Sequence, residues 1–239
     1  MASTPRNVRA WDVPTRLFHW TLALLIAAAW ATSTYSSALG DGTLCWHRGI
    51  GYAVLVLIVW RLLWGFAGPA PVRFASFVRG PKAALRYGRD LATGIKRRFL
   101  GHNPLGGWMV LALLAAVSCQ ALLGLFTVEH NDLAAGPLYR LVSEEAYKPI
   151  RSWHIWTFNF IILPLVALHI AANLFYAFVL REPLIGAMLT GTRPAGDYED
   201  GDGASTGSGA AILARALLCL AVAIVLVFAP LLAFGGRLL

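Results

Sequence analysis

Of the 239 residues, 58% are hydrophobic and only 13% are charged. That balance excludes an ordinary soluble domain, in which about a quarter of the residues carry charge. The formal net charge of +8 raises the question of nucleic acid, but the basic residues alternate loop by loop instead of forming one stripe, which argues for membrane topology and against a nucleic-acid partner.

Five apolar blocks, near 17–36, 49–68, 107–127, 154–180 and 211–234, approach or exceed the roughly 20 residues that cross a bilayer as a helix. Trp20, Tyr35, Trp46, Trp64, Trp108 and Trp153 lie near block ends, as interfacial aromatics do. Arg6, Arg9 and Arg16 precede or open the first block. The stretch "SSALG" after it resembles a signal-cleavage site, but the block is longer than a signal core, so a retained helix is expected. The 37–46 loop has no Lys or Arg. Cys45, Cys119 and Cys219 are scattered and form no CxxCH or CxxC motif, so no covalently attached haem is expected.

Residues 69–106 carry Arg73, Arg79, Lys82, Arg86, Arg89, Lys96, Arg97 and Arg98. The positive-inside rule puts this segment and the N-terminus in the cytoplasm, and five spans then leave the C-terminus outside. Within it, "PKAALRYGRDLATGIKRRFL" reads either as an interfacial amphipathic helix on anionic lipid or as a solvated basic loop. In "HNPLGGW", Asn103 is the expected N-cap and Pro104 the first helical residue. The outer 128–152 loop mixes Arg140, Lys148 and Arg151 with Glu129, Asp132, Glu144 and Glu145. The stretch "GTRPAGDYEDGDGASTGSG" has linker composition. The expected organisation is a four-helix domain over 1–190, a flexible polar linker over 191–210 and a C-terminal transmembrane helix over 211–239. The fold class is an all-α integral membrane protein.

Ionisable groups inside a membrane are costly and mark function. His102 and His130 are expected to be loop residues, although His130 with Glu129 and Asp132 leaves a partner or metal contact open. The other four histidines sort by depth. His47 and His154 open the second and fourth spans at the outer level. His19 and His169 lie near the inner level, and fifteen helical residues put His169 about 22 Å from His154. Uniform steps of about 100° leave the two rings about 60° apart around the helix. One ion cannot collect all four, and no carboxylate lies in these spans to complete two separate shells. A b-type haem needs only two axial imidazoles on facing helices. Two stacked haems therefore fit, with a proton relay and ordinarily buried histidines as the alternatives. Ala27, Ala28, Ala29, Gly51, Gly124, Ala171 and Ala172 would give porphyrins room, or simply pack helices closely. Pro164 is expected to bend the fourth span. Arg61 either snorkels to the surface or meets a haem propionate; Arg16 and Arg48 are further propionate candidates.

The stretches "VRAWDVPTRLFHW", "WHRGIGYAVLVLIVWRLLWGFAG", "VRFASFVRGP", "GHNPLGGWMVLALL", "QALLGLF" and "WHIWTFNFIILPLVALHIAANLFY" cover most of residues 8–182. In this order they resemble the bacterial di-haem cytochrome b family that includes the membrane subunit of nickel–iron hydrogenases. The resemblance implies two non-covalent haem b groups on His19, His47, His154 and His169. It also implies a multi-pass protein of the bacterial inner membrane that carries electrons between a periplasmic redox partner, of hydrogenase or cytochrome c type, and the quinone pool. It would be an electron-transfer subunit of an oxidoreductase, with no catalytic residue of its own assigned. Lipid and quinone are the other expected partners, and homo-oligomerisation stays open. Residues 191–239 lie outside the resemblance. Two further functions are weighed against this one: a stand-alone superoxide-to-quinone oxidoreductase, and a non-redox transporter or assembly subunit with a histidine proton relay.

Overall fold

The computed structural model describes residues 7–40, 42–128, 135–201 and 208–235. Its helices are α1 (Val13–Thr34), α2 (Ser36–Leu39), α3 (Gly42–Ala67), α4 (Phe74–Phe77), α5 (Pro81–Ala92), α6 (Pro104–Gly124), α7 (Glu144–Thr157), α8 (Leu163–Phe178), α9 (Leu184–Thr190) and α10 (Gly209–Gly235). Five runs are long and apolar enough to cross a membrane: α1, α3, α6, the continuous α7–α8 run and α10. They match the five apolar blocks, and the chain is an all-helical, multi-pass membrane protein. Large apolar side chains such as Leu24 (70% exposed) and Val225 (62%) lie open along these spans. Lipid is the solvent that tolerates such a surface.

The chain forms two compact units. The first comprises Met1–Leu17, Leu63–Ala112 and Leu165–Leu217; the second comprises Phe18–Leu62, Leu113–Pro164 and Leu218–Leu239.

In the first unit, helix starts are set by side chains that satisfy otherwise orphaned amides. Asp12 caps α1: its carboxylate accepts from the Thr15 amide and the Thr15 hydroxyl, both at 2.8 Å. The Trp64 indole N–H then donates to Thr15 Oγ1 at 3.0 Å, which ties the entry of α1 to the end of α3. Asn103 Oδ1 accepts from the Gly106 amide at 2.7 Å, and Pro104 opens α6, as the sequence predicts. The amphipathic segment is helical only as far as Ala92. Ala84 and Tyr87 face inward. The Tyr87 hydroxyl lies 2.7 Å from that of Tyr176, which also accepts from Asn103 Nδ2 at 2.9 Å. Burial first, and the bond to Tyr176 second, push the Tyr87 hydroxyl well above its ordinary pKa.

The expected flexible linker is partly built structure. β1 (Asn7–Arg9) pairs antiparallel with β2 (Thr192–Pro194), with Val8 opposite Arg193. Arg193 is 2% exposed, donates to the Phe99 carbonyl and pairs with Glu182. Glu182 also binds Arg98 at 2.7 Å, and this pairing raises the Arg98 pKa. Asp200 accepts from the Leu100 amide and, at 2.9 Å, from the Gly101 amide. Composition alone missed this because each contact joins residues far apart in sequence. His102 also departs from expectation. Its ring lies between Trp11, 4.8 Å away, and Phe77, 4.6 Å away, instead of in open water.

In the second unit, α10 turns a narrow face inward. Cys219, Ala223, Val227 and Leu231 recur every four residues and are buried, and Phe228 meets Tyr52 of α3 edge to face at 6.0 Å. In the first unit Arg215 of α10 donates to the Ala67 carbonyl at 3.3 Å. The fifth span is thus packed along α3, which the linker reading did not anticipate. The fourth span begins at Glu144, inside the stretch read as an outer loop. Phe158–Ile162 form a π turn just before Pro164. Proline has no amide to donate to the Phe160 carbonyl, and a widened turn absorbs that loss. The uniform 100° step used for His154 and His169 does not hold across it.

Candidate functional site

The site is clearest in the second unit, where α3 carries His47 and α7 carries His154. Their ring centroids are 6.3 Å apart and their planes 82° to one another. Each ring is held from behind. His47 Nδ1 lies 2.9 Å from the Ala29 carbonyl of α1, with Thr32 Oγ1 at 3.4 Å. His154 Nδ1 lies 3.0 Å from the Gln120 carbonyl of α6. A carbonyl oxygen only accepts, so in both rings Nδ1 carries the proton and Nε2 keeps its lone pair. That is how a protein fixes the tautomer of a metal-binding histidine.

The spacing has a simple reading. Two imidazoles that each bind one metal at about 2 Å bring their ring centroids to about 6 Å. Among the described residues no group of three or more His, Cys, Asp or Glu side chains is placed to hold a metal ion. A pair of imidazoles suits a metal whose other ligands come from its own macrocycle.

Two residues of α6 belong to this site although the sequence reading gave α6 no ligand. Gln120 Nε2 donates toward His154 Nε2 at 3.1 Å, and Gln120 Oε1 is buried with no hydrogen-bond partner among the described residues. A Cβ on Gly124 would meet His154 Cε1 at 3.1 Å. Gly124 therefore makes room for the histidine ring, whereas the sequence reading gave it to porphyrin or helix packing. A Cβ on Gly51 would meet nothing within 4 Å, so open space lies there. A polar glutamine within an apolar span was the signal to follow.

A match to the prokaryotic cytochrome b561 family covers residues 10–191. The chain belongs to that family. It is a membrane electron-transfer protein of haem b type, and the match is to the bacterial cytochrome b of the nickel–iron hydrogenase type. No curated protein and no solved structure matches it. The paired, Nδ1-anchored imidazoles fit the haem iron that the family implies.

The other residues that the sequence offers for the site divide between the units. His19 is half-buried in the second, with its ring edge to face against Trp20 at 4.9 Å. His169 is half-buried in the first, where Asn173 Nδ2 donates to its carbonyl at 2.8 Å and lies 3.4 Å from its Nε2. Arg61 is 4% exposed in the second unit, so its head does not reach the surface as a snorkelling arginine would. Arg48 Nη1 lies 3.4 Å from the Ala135 carbonyl. Arg16 Nη1 donates at 2.8 Å to the Leu189 carbonyl near the end of α9. Arg48 Nε and Arg16 Nε are buried with no hydrogen-bond partner among the described residues. Orphaned guanidinium N–H groups beside the ligand levels fit anionic propionates. His130, with Glu129 and Asp132, lies outside the described residues.

Proposed function

We propose that this cytochrome holds two b haems in one membrane and passes electrons between a redox protein on the outer side and the quinone pool. The observation that carries the reading is the His47–His154 pair, whose rings are 6.3 Å apart and whose Nδ1 atoms face backbone carbonyls, so that both Nε2 atoms keep their lone pairs, the one on His154 accepting from Gln120. The inner haem, on His19 and His169, rests on the depth pattern of the sequence. Haem supplies a one-electron carrier. His47 and His154 would together hold its iron, and a metal held by two imidazoles would favour electron transfer over oxygen binding.

The chain's own residues then orient and tune. Ala29 and Gln120 fix the outer imidazoles through their carbonyls, which raises ligand basicity and favours the oxidised metal. Arg48 at the outer level and Arg16 at the inner level would hold propionates by charge-assisted bonds. A quinone site at the inner level, near Arg61, would give two haems a purpose, since electrons must then cross the bilayer. The basic residues of 69–106 favour a cytoplasmic place for that level, and with it a periplasmic C-terminus and an inner-membrane protein. A hydrogenase or a cytochrome c is the class of partner the outer level would serve.

The test is a pyridine haemochrome assay on purified protein, followed by anaerobic mixing of the dithionite-reduced protein with a quinone. A b-type spectrum, two haems per chain and reoxidation by quinone are expected. One haem per chain overturns the two-level arrangement; no reoxidation overturns the quinone link.

A further inference from the structure

The basic segment between the second and third spans holds cations that neither the haem sites nor the fold uses. Some are engaged inside the first unit. Arg73 donates to the Gly68 carbonyl at 2.7 Å, Arg97 pairs with Asp90 at 3.0 Å and Glu199 at 3.5 Å, and Arg98 pairs with Glu182 at 2.7 Å. Arg79, Lys82, Arg86, Arg89 and Lys96 are exposed, with no carboxylate in salt-bridge range among the described residues.

Three of these free cations stand on one face of α5. At about 100° per residue, Lys82, Leu85, Arg86 and Arg89 fall within about 100° of arc. Ala84 and Tyr87, which α5 buries, lie on the opposite side. Leu85 is 74% exposed at one edge of the basic face. An exposed leucine flanked by cations is unfavourable toward water and favourable where headgroups meet acyl chains. The depth of α5 fits such a boundary. Trp108, in the early turns of α6, is 42% exposed, and its indole N–H donates to the Arg79 carbonyl at 3.0 Å. An interfacial tryptophan therefore holds the residue two before α5.

We infer that the outer face of α5 is a binding surface for anionic phospholipid. Lys82, Arg86 and Arg89 meet the phosphate groups and Leu85 enters the acyl boundary. The surface would hold a few anionic headgroups around the inner end of the bundle, which fixes the depth of the segment between α3 and α6. The inference does not depend on how the haems are ligated.

The full-length protein, purified in neutral detergent and delipidated, would be titrated with fluorescent phosphatidylglycerol or phosphatidylcholine in mixed micelles. Preferential binding of phosphatidylglycerol, weakened by salt, is expected. Each charge removed should weaken it about fivefold, so the Lys82→Gln, Arg86→Gln, Arg89→Gln triple variant should lose well over tenfold. The charge-preserving variant with Lys82→Arg, Arg86→Lys and Arg89→Lys should keep binding, and Arg97→Gln, at a paired arginine, should change it little. Circular dichroism and the visible spectrum confirm that each variant is folded. Equal binding of the two lipids, or equal binding by wild type and a folded triple variant, overturns the inference. Displacement of phosphatidylglycerol by millimolar inorganic phosphate also overturns it, since that marks a simple anion site.

Discussion

Gly124 and His154 are fitted to one another: a Cβ on Gly124 would stand 3.1 Å from His154 Cε1 and 3.6 Å from Nδ1. The glycine lets α6 approach closely enough for the Gln120 carbonyl, one turn earlier, to hold the ring at 3.0 Å. Helix α6 thus sets the position of the His154 ring on α7.

Gly124→Ala should therefore push the His154 ring by a few tenths of an ångström and strain its bond to Gln120. The expected result is a shifted potential of the outer haem with near-normal haem content. Gly124→Val, which cannot be absorbed by so small a shift, should lower haem content. Redox titration with haem quantification checks both. Unchanged titrations in both variants would show that α6 does not position the ligand.

In the first unit Arg193, 2% exposed, pairs with Glu182, whose side chain is 17% exposed. Glu182→Gln leaves Arg193 and Arg98 without their carboxylate. Breaking such a buried pair costs about 3 kcal/mol, which corresponds to about 10 °C in a chain of this size. Thermal loss of helical circular dichroism in detergent should show it, with the visible spectrum at room temperature little changed.

Truncation separates the two roles of the C-terminal stretch. A chain ending at Gly201 loses α10 but keeps Arg193 and Asp200 with their bonds to Phe99, Leu100 and Gly101. A chain ending at Gly191 loses these too. The chain ending at Gly201 should retain the b-type spectrum and melt higher than the chain ending at Gly191. Equal melting of the two would mean that the 192–201 segment contributes nothing measurable.

These contrasts show where the sequence was readable. The five spans were legible because hydropathy over about 20 residues is a local signal. The Asn103–Pro104 helix start was legible for the same reason, since cap chemistry lies in adjacent residues. The pairing of His47 with His154 followed from depth along helices. The β1–β2 pair was not legible: three-residue strands some 185 positions apart carry no periodicity. The packing of α10 on α3 was hidden because an apolar helix reads alike whether it faces lipid or protein. The roles of Gln120 and Gly124 depend on which faces of α6 and α7 meet, and spacing within either helix does not say.

The proposed topology rests on the distribution of charge. A reporter fused after Lys96 should be active only on the cytoplasmic side, and one inserted near Asp132 only on the periplasmic side. Reversed signals would exchange the inner and outer labels of the haems while leaving their ligands as assigned.

The central claim is that the four histidines act as two pairs, and potentiometric titration of the single alanine variants tests it most directly. His47→Ala and His154→Ala should disturb the same titration step. His19→Ala and His169→Ala should disturb the other, with only a small shift of the unaffected haem through coupling. If His47→Ala shares its step with His19→Ala or His169→Ala instead, the pair seen at 6.3 Å is not an axial pair and the account is contradicted.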